Sequence, residues 1–222
     1  MASITKSPVA AILFFLLPAI AIAADVALSP TVAVPLPESA DFVSQSCKLT
    51  KYQDLCIKAL SPFAKSIKQD DLSAVTLKSL DVTLSVAMHS RKRMSGFLVK
   101  SNDTNGAGDG IKQNIAMKFC VTSHVDTVGQ LGRAINVVKN IGSVSEEELT
   151  DSFSEADYDV SLCLTYMNEC IDQWKDLPTS SVKTEVFRTS EKVRKYVANA
   201  RDILTKFNSV LDSKTKHKGL LV

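Results

Sequence analysis

Four long stretches of this chain carry apolar residues on one helical stripe each, and this repeated pattern limits the fold more than any other feature. The first stripe runs Leu77, Leu80, Leu84, Ala87, Met88, Met94 and Leu98. The second comprises Ile111, Ile115, Val121, Val125, Val128, Leu131, Ile135 and Val138, the third Val160, Cys163, Met167, Ile171 and Trp174. The fourth is the most regular: Val182, Val186, Val193, Val197, Ala200, Leu204, Phe207 and Leu211. A spacing of three and four residues places such side chains on one face of a helix, and few segments show the alternation of a strand. Each helix is apolar on one side only and must bury that side on the others. The predicted fold is therefore all-α, an antiparallel four-helix bundle with short connections.

The connecting segments agree. Ser101 to Gly110 is rich in Gly, Asn and Asp and joins the first two helices. Gly142, Ser143 and Ser145, followed by Glu146 to Glu148, read as a helix stop and a capped restart. Asp176-Leu177-Pro178 ends the third helix, and Thr179 or Ser180 is placed to cap the fourth.

The N-terminus sets the expected compartment. Lys6 precedes an apolar run within Pro8 to Ala24, and Ala21-Ile22-Ala23 offers the small-x-small pattern of signal peptidase sites. Residues 1–23 are thus expected to be a signal peptide. Residues 24–40, with Pro30, Pro35 and Pro37, read as an extended leader, 41–212 as the bundle and 213–222 as a basic tail. Cleavage leaves 222 − 23 = 199 residues, enough for one domain. Of 26 Lys and Arg only Lys6 is lost, and none of the 24 acids, so the mature formal charge is 25 − 24 = +1. A nearly neutral chain offers no net electrostatic attraction for nucleic acid. No second apolar run of spanning length follows, so the mature form is expected in solution, as a monomer, without a membrane anchor.

Five cysteines in an exported chain read first as disulfides, with one left over. Cys163 and Cys170 lie seven residues apart in a helical segment, about 10.5 Å at 1.5 Å per residue. That exceeds the roughly 7 Å a disulfide tolerates, so they do not bond each other. Cys47 and Cys56 frame a polar piece; if they pair, the chain must turn back between them into a small helical hairpin.

No catalytic constellation emerges. His89, His124 and His217 show no metal-ligand spacing, and there is no Gly-x-Ser-x-Gly. The Gly-rich loop lacks the Lys-Ser/Thr of a phosphate loop, and read as a calcium loop from Asp103 it has Ala107 and Asn114 at ligand positions. Neither a metal nor a cofactor is expected. Cys163 shares an apolar stripe and reads as a buried, inert thiol. The acidic run Glu146 to Asp159 reads as a solvated face at a helix start, and the basic stretch from Lys183 to Lys218 as a solvated outer face. The basic stretch also admits attraction to an acidic polysaccharide. Asn102-Asp103-Thr104 is an N-glycosylation sequon.

Ser46-Cys47, Thr50, Tyr52 and Cys56 resemble the opening of the plant invertase/pectin methylesterase inhibitor domain. Leu60-Ser61-Pro62-Phe63-Ala64 through Leu80-Asp81-Val82-Thr83-Leu84 resembles its pectin methylesterase inhibitor branch, in particular the 21 kDa-type proteins. Cys120 sits where the family's third cysteine opens a long helix, and Glu169-Cys170-Ile171-Asp172 matches its Thr-Cys-x-Asp segment. The resemblance runs from about Asp41 to Leu211. His124, Thr127, Cys163 and Glu169 replace the family's usual Tyr, Ala, Ala and Thr, whereas Asp172 is kept.

This resemblance implies disulfides Cys47–Cys56 and Cys120–Cys170, with Cys163 free. It also implies a non-enzymatic, extracellular inhibitor that occludes the pectin-binding cleft of pectin methylesterase in a one-to-one complex, with Glu169 and Asp172 at the contact. Acid invertase is the alternative target, disfavoured because the Pro-Lys-Phe element of invertase inhibitors is missing. A third reading is a non-inhibitory bundle that binds wall polysaccharide or another protein. Because the chain ends at Val222, it is not expected to be the pro-region of a larger pectinesterase.

Overall fold

A computed structural model of the protein describes residues 38–68, 70–101 and 108–219. Among these residues there are six α-helices and no strand: α1 Glu38–Cys47, α2 Gln53–Leu60, α3 Leu72–Ser101, α4 Asp109–Asn140, α5 Glu146–Asp172 and α6 Ser181–Gly219. Helices α3 to α6 form the predicted bundle. Each packs on its neighbours in sequence, and α3 closes the ring against α6.

Local chemistry sets the helix ends. Asp71 Oδ1 accepts from the Ala74 N–H at 2.9 Å at the start of α3. Ser145 and Glu148 form the reciprocal capping box expected for α5. Of the two candidates before α6, Ser180 is the cap, its Oγ accepting from Lys183 N–H at 3.1 Å. α5 stops at Asp172, so Trp174 lies in the turn beyond the helix, yet it is fully buried.

The bundle core contains Leu80, Leu131, Phe153, Val160, Met167, Val193, Val197 and Leu204. Phe153 and Phe207 meet edge to face, ring centres 5.1 Å apart. A second cluster, Met94, Met117, Trp174 and Val186 with Cys120 and Cys170, fills the end of the bundle near the α5–α6 turn.

The short helices form the hairpin that pairing of Cys47 with Cys56 requires; the bond is present, with Cα atoms 5.5 Å apart. A 3₁₀ turn over Ser61–Ser66, with Pro62 in its first turn, carries the chain towards α3. Val43, Leu60, Ala64 and Ile67 bury against Val75 of α3 and Ile203 of α6.

Three expectations need correction. The second stripe mixes two faces of α4: Leu131, Ile135 and Val138 are buried, but Ile111, Ile115 and Val125 are exposed. In this half of α4 the inward face belongs to Ala116, Met117, Cys120, His124 and Thr127, because the bond from Cys120 to Cys170 turns that face towards α5. Met88 of α3 is likewise exposed. The acidic run is not wholly solvated: Asp159 is buried and paired with Arg133, and Asp157 pairs with Arg201. The outer face of α6 is also less free than its charge suggested, since Arg188, Arg194 and Arg201 each hold a carboxylate.

At the edges, α1 begins at Glu38, inside the stretch assigned to the leader, and α6 runs on through Gly219 into the tail. Residues 1–37, which include the stretch expected to be a signal peptide, and the sequon at Asn102 lie outside the described residues.

Candidate partner-binding surface

Cys120 and Cys170 are bonded, Cα atoms 4.7 Å apart, and both are fully buried. The bond joins the first half of α4 to the last turn of α5. Phe119 and Glu169 each directly precede one of these cysteines, and both point outward. The disulfide therefore holds an exposed aromatic on one helix level with an exposed acid on the next.

The exposed apolar residues of α4 were read as core because they recur at helical spacing. Ile111 is 60% exposed, Ile115 61%, Phe119 37% and Val125 45%. Steps of four residues keep Ile111, Ile115 and Phe119 along one ridge of α4. Single exposed apolar residues need no explanation, but several along one ridge make a candidate interaction site. A sequence signal was available: Ile111 and Ile115 lie on the side of the helix opposite Cys120 on a 100° wheel.

The acidic side comes from the end of α5. Asp172 is exposed and pairs with Lys175 at 2.6 Å. The turn beyond is held by Lys183, whose Nζ donates to the carbonyls of Lys175 at 2.8 Å and Leu177 at 2.6 Å. This stapling satisfies carbonyls of the turn, which have no helix of their own to join. Asp172 raises the pKa of Lys175 through its hydrogen bond and charge, so the lysine stays protonated.

Under the surface lies a buried polar group of residues. His124 Nε2 is 3.2 Å from Ser190 Oγ, which lies 3.2 Å from Cys170 Sγ. Burial lowers the His124 pKa to about 4, so the ring is neutral near neutral pH. His89 is exposed on α3, and the side chain of His217 lies outside the described residues. Cys163 is unbonded and buried; its thiol lies 3.6 Å from Thr127 O and 3.3 Å from Asp159 O. Burial, then the nearby Asp159 charge, pushes its pKa up to about 12. That thiol is neither a nucleophile nor a metal ligand at ordinary pH. Among the described residues no cluster of His, Cys, Asp and Glu is arranged to hold a metal, and no helix is long and apolar enough to cross a membrane.

Comparison with known proteins agrees with the fold. The family model described as plant invertase/pectin methylesterase inhibitor covers residues 41–207. Pectinesterase inhibitor 3 of Arabidopsis thaliana is 27% identical over 164 residues, 72% of this chain and 76% of its own. Pectinesterase inhibitor 10 of the same plant is also 27% identical, over 78% of this chain, which spans about half (53%) of that relative's length. The 21 kDa protein of Daucus carota is 24% identical over 59% of this chain and 64% of its own. Among solved structures, a mutant form of a pectin methylesterase inhibitor from Arabidopsis superposes with a TM-score of 0.55 at 19% identity, covering 73% of this chain and 95% of that one. That likeness supports the fold. With the family model spanning three-quarters of its length, both disulfides present and the bundle complete, the chain belongs to the plant invertase/pectin methylesterase inhibitor family.

Proposed function

We propose that this protein is a secreted, monomeric inhibitor of pectin methylesterase that covers the enzyme's pectin-binding cleft in a one-to-one complex and performs no chemistry itself. The observation that carries this reading is that Phe119 and Glu169, each next to one cysteine of the Cys120–Cys170 bond, are both exposed on helices joined by that bond, with Ile111 and Ile115 exposed further along α4 and Asp172 exposed at the end of α5. Exposed apolar side chains on α4 and exposed acids on α5 are thus carried by two cross-linked helices. Rigid mounting lowers the entropy cost of binding and favours occlusion of a fixed cleft. Relatives named as pectinesterase inhibitors supply the target class. Residues 1–23 direct export, and the sequon at Asn102, between α3 and α4, is the glycosylation site.

The test is titration of full-length protein, secreted and oxidised by a eukaryotic host, into a plant pectin methylesterase at mildly acidic pH, following methanol release. Stoichiometric inhibition that weakens with Ile115→Asp and with Asp172→Lys is the expected result. Absence of inhibition by protein whose two disulfides are confirmed by peptide mapping overturns the reading. Inhibition of acid invertase in a parallel assay would then reassign the target.

A further inference from the structure

A second surface feature lies on the first half of α5, away from Glu169 and Asp172. Between α5 and α6 runs a groove of about 430 Å³, within the roughly 300–1,000 Å³ of clefts that hold small molecules. Its apolar floor is made by Phe153 and Leu204, each nearly fully buried. Across it Arg201 of α6 meets Asp157 of α5 in two bonds, Nε to Oδ1 at 3.1 Å and Nη2 to Oδ2 at 3.2 Å. Both side chains stay partly exposed, 42% and 39%. Ser161 Oγ donates to the Asp157 carbonyl at 2.6 Å. Tyr158 stands at the rim and is 63% exposed, the most exposed large apolar side chain described.

We propose that this groove binds a neutral pyranose unit of a glycan chain. The reasons are chemical. A pyranose has one face of C–H bonds that stacks on an aromatic ring and an edge of hydroxyls that both donate and accept hydrogen bonds. Tyr158 supplies the ring, with its own polar tip reaching solvent. The Asp157–Arg201 pair supplies an acceptor and a donor side by side, fixed by their mutual bonds. The lining holds one acid and one base, so its formal charge is zero. A neutral ligand therefore loses nothing by electrostatics, whereas a polyanion meets a guanidinium already committed to Asp157. The hydroxyls of Ser161 and Thr205 and the amide of Asn208 make the walls polar, which disfavours an apolar peptide. The groove is independent of the esterase-docking surface, and the proposal does not rest on that reading.

The experiment is saturation-transfer difference NMR on the full-length oxidised protein with two probes of one skeleton, trigalacturonic acid and its fully methyl-esterified form. Saturable transfer to ring protons of the neutral ester, retained by Tyr158→Phe and lost in Tyr158→Ala and in Thr205→Arg, is expected. Circular dichroism of each variant should match the parent, since both side chains are exposed. Three results overturn the proposal: no transfer to either probe, transfer that survives both Tyr158→Ala and Thr205→Arg, or a preference for the free acid that disappears with salt.

Discussion

Asn199 of α6 clamps the peptide backbone at Tyr52: its Oδ1 accepts from the Tyr52 N–H and its Nδ2 donates to the Tyr52 carbonyl, both at 2.9 Å. Lys51 N–H donates to Asp202 Oδ2 at 2.8 Å one turn further along α6, and Arg194 Nη2 reaches the Tyr52 hydroxyl at 3.4 Å. The turn of the N-terminal hairpin, whose backbone groups have no helix of their own to join, is thus satisfied by side chains about 150 positions away. Asn199 is buried, so nothing else can replace it cheaply.

Asn199→Ala should therefore cost about 1–3 kcal/mol, the penalty of unpairing partly buried backbone groups. Hydrogen exchange should show the loss of protection centred on residues 47–60, with the bundle core little changed. Equal loosening of α3 to α6 would contradict this account.

The two disulfides should differ in weight. In the chain-entropy model the bond closing 50 residues stabilises by about 4 kcal/mol and the bond closing nine by about 2.5. Chemical denaturation of Cys120→Ala/Cys170→Ala and of Cys47→Ala/Cys56→Ala should show the larger loss for the first pair. That pair should also lose any inhibitory activity first, since Phe119 and Glu169 are mounted on it.

Cys163 should resist alkylation in the folded protein. With its pKa pushed up to about 12 and its side chain fully buried, iodoacetamide at pH 8 should leave the native mass unchanged. One equivalent should add once the chain is denatured without reduction. Rapid labelling of native protein would contradict the buried, neutral thiol.

His124 gives stability a specific pH dependence. Its pKa falls from 6.5 in the unfolded chain to about 4 in the fold, so between those values the unfolded state binds the extra proton. Its contribution is fully present above pH 6.5 and is lost as pH falls through about 4. The size is of order 3 kcal/mol at about 1.4 kcal/mol per pKa unit. Thermal melts across this range should flatten in His124→Gln relative to the parent; parallel curves would refute the assignment.

Arg133 is expected to matter more than its exposure suggests. Burial raises the Asp159 pKa, and Arg133, bonded to its Oδ1 at 3.1 Å, opposes that rise. Arg133→Ala leaves a buried carboxylate without its cation and should cost on the order of 1–3 kcal/mol at neutral pH. The loss should shrink towards acid pH as Asp159 takes up a proton. Asp159→Asn should be milder, because it removes the charge that needed the partner.

Helix number, the connecting segments and two of the caps were legible in the chain itself, because each depends on residues within four positions of one another. Ser145 with Glu148, Ser180 before α6 and the stripes of α5 and α6 all behave as their spacing requires. Other features needed partners from far away. Half of α4 carries apolar residues on two faces, and local periodicity alone does not say which face goes inward. The bond between Cys120 and Cys170 decides it, turning His124 and Thr127 inward and leaving Ile111, Ile115 and Val125 outside. Glu169 and Asp172 were singled out through a motif, whereas the exposed ridge of α4 was not, since an isoleucine reads as core until its neighbours are known. The same holds for Asp159 and Asp157, which look solvated in a run of acids until α4 and α6 bring an arginine to each. Short-range patterning determined the elements. Long-range contacts determined which of their faces remained free to bind.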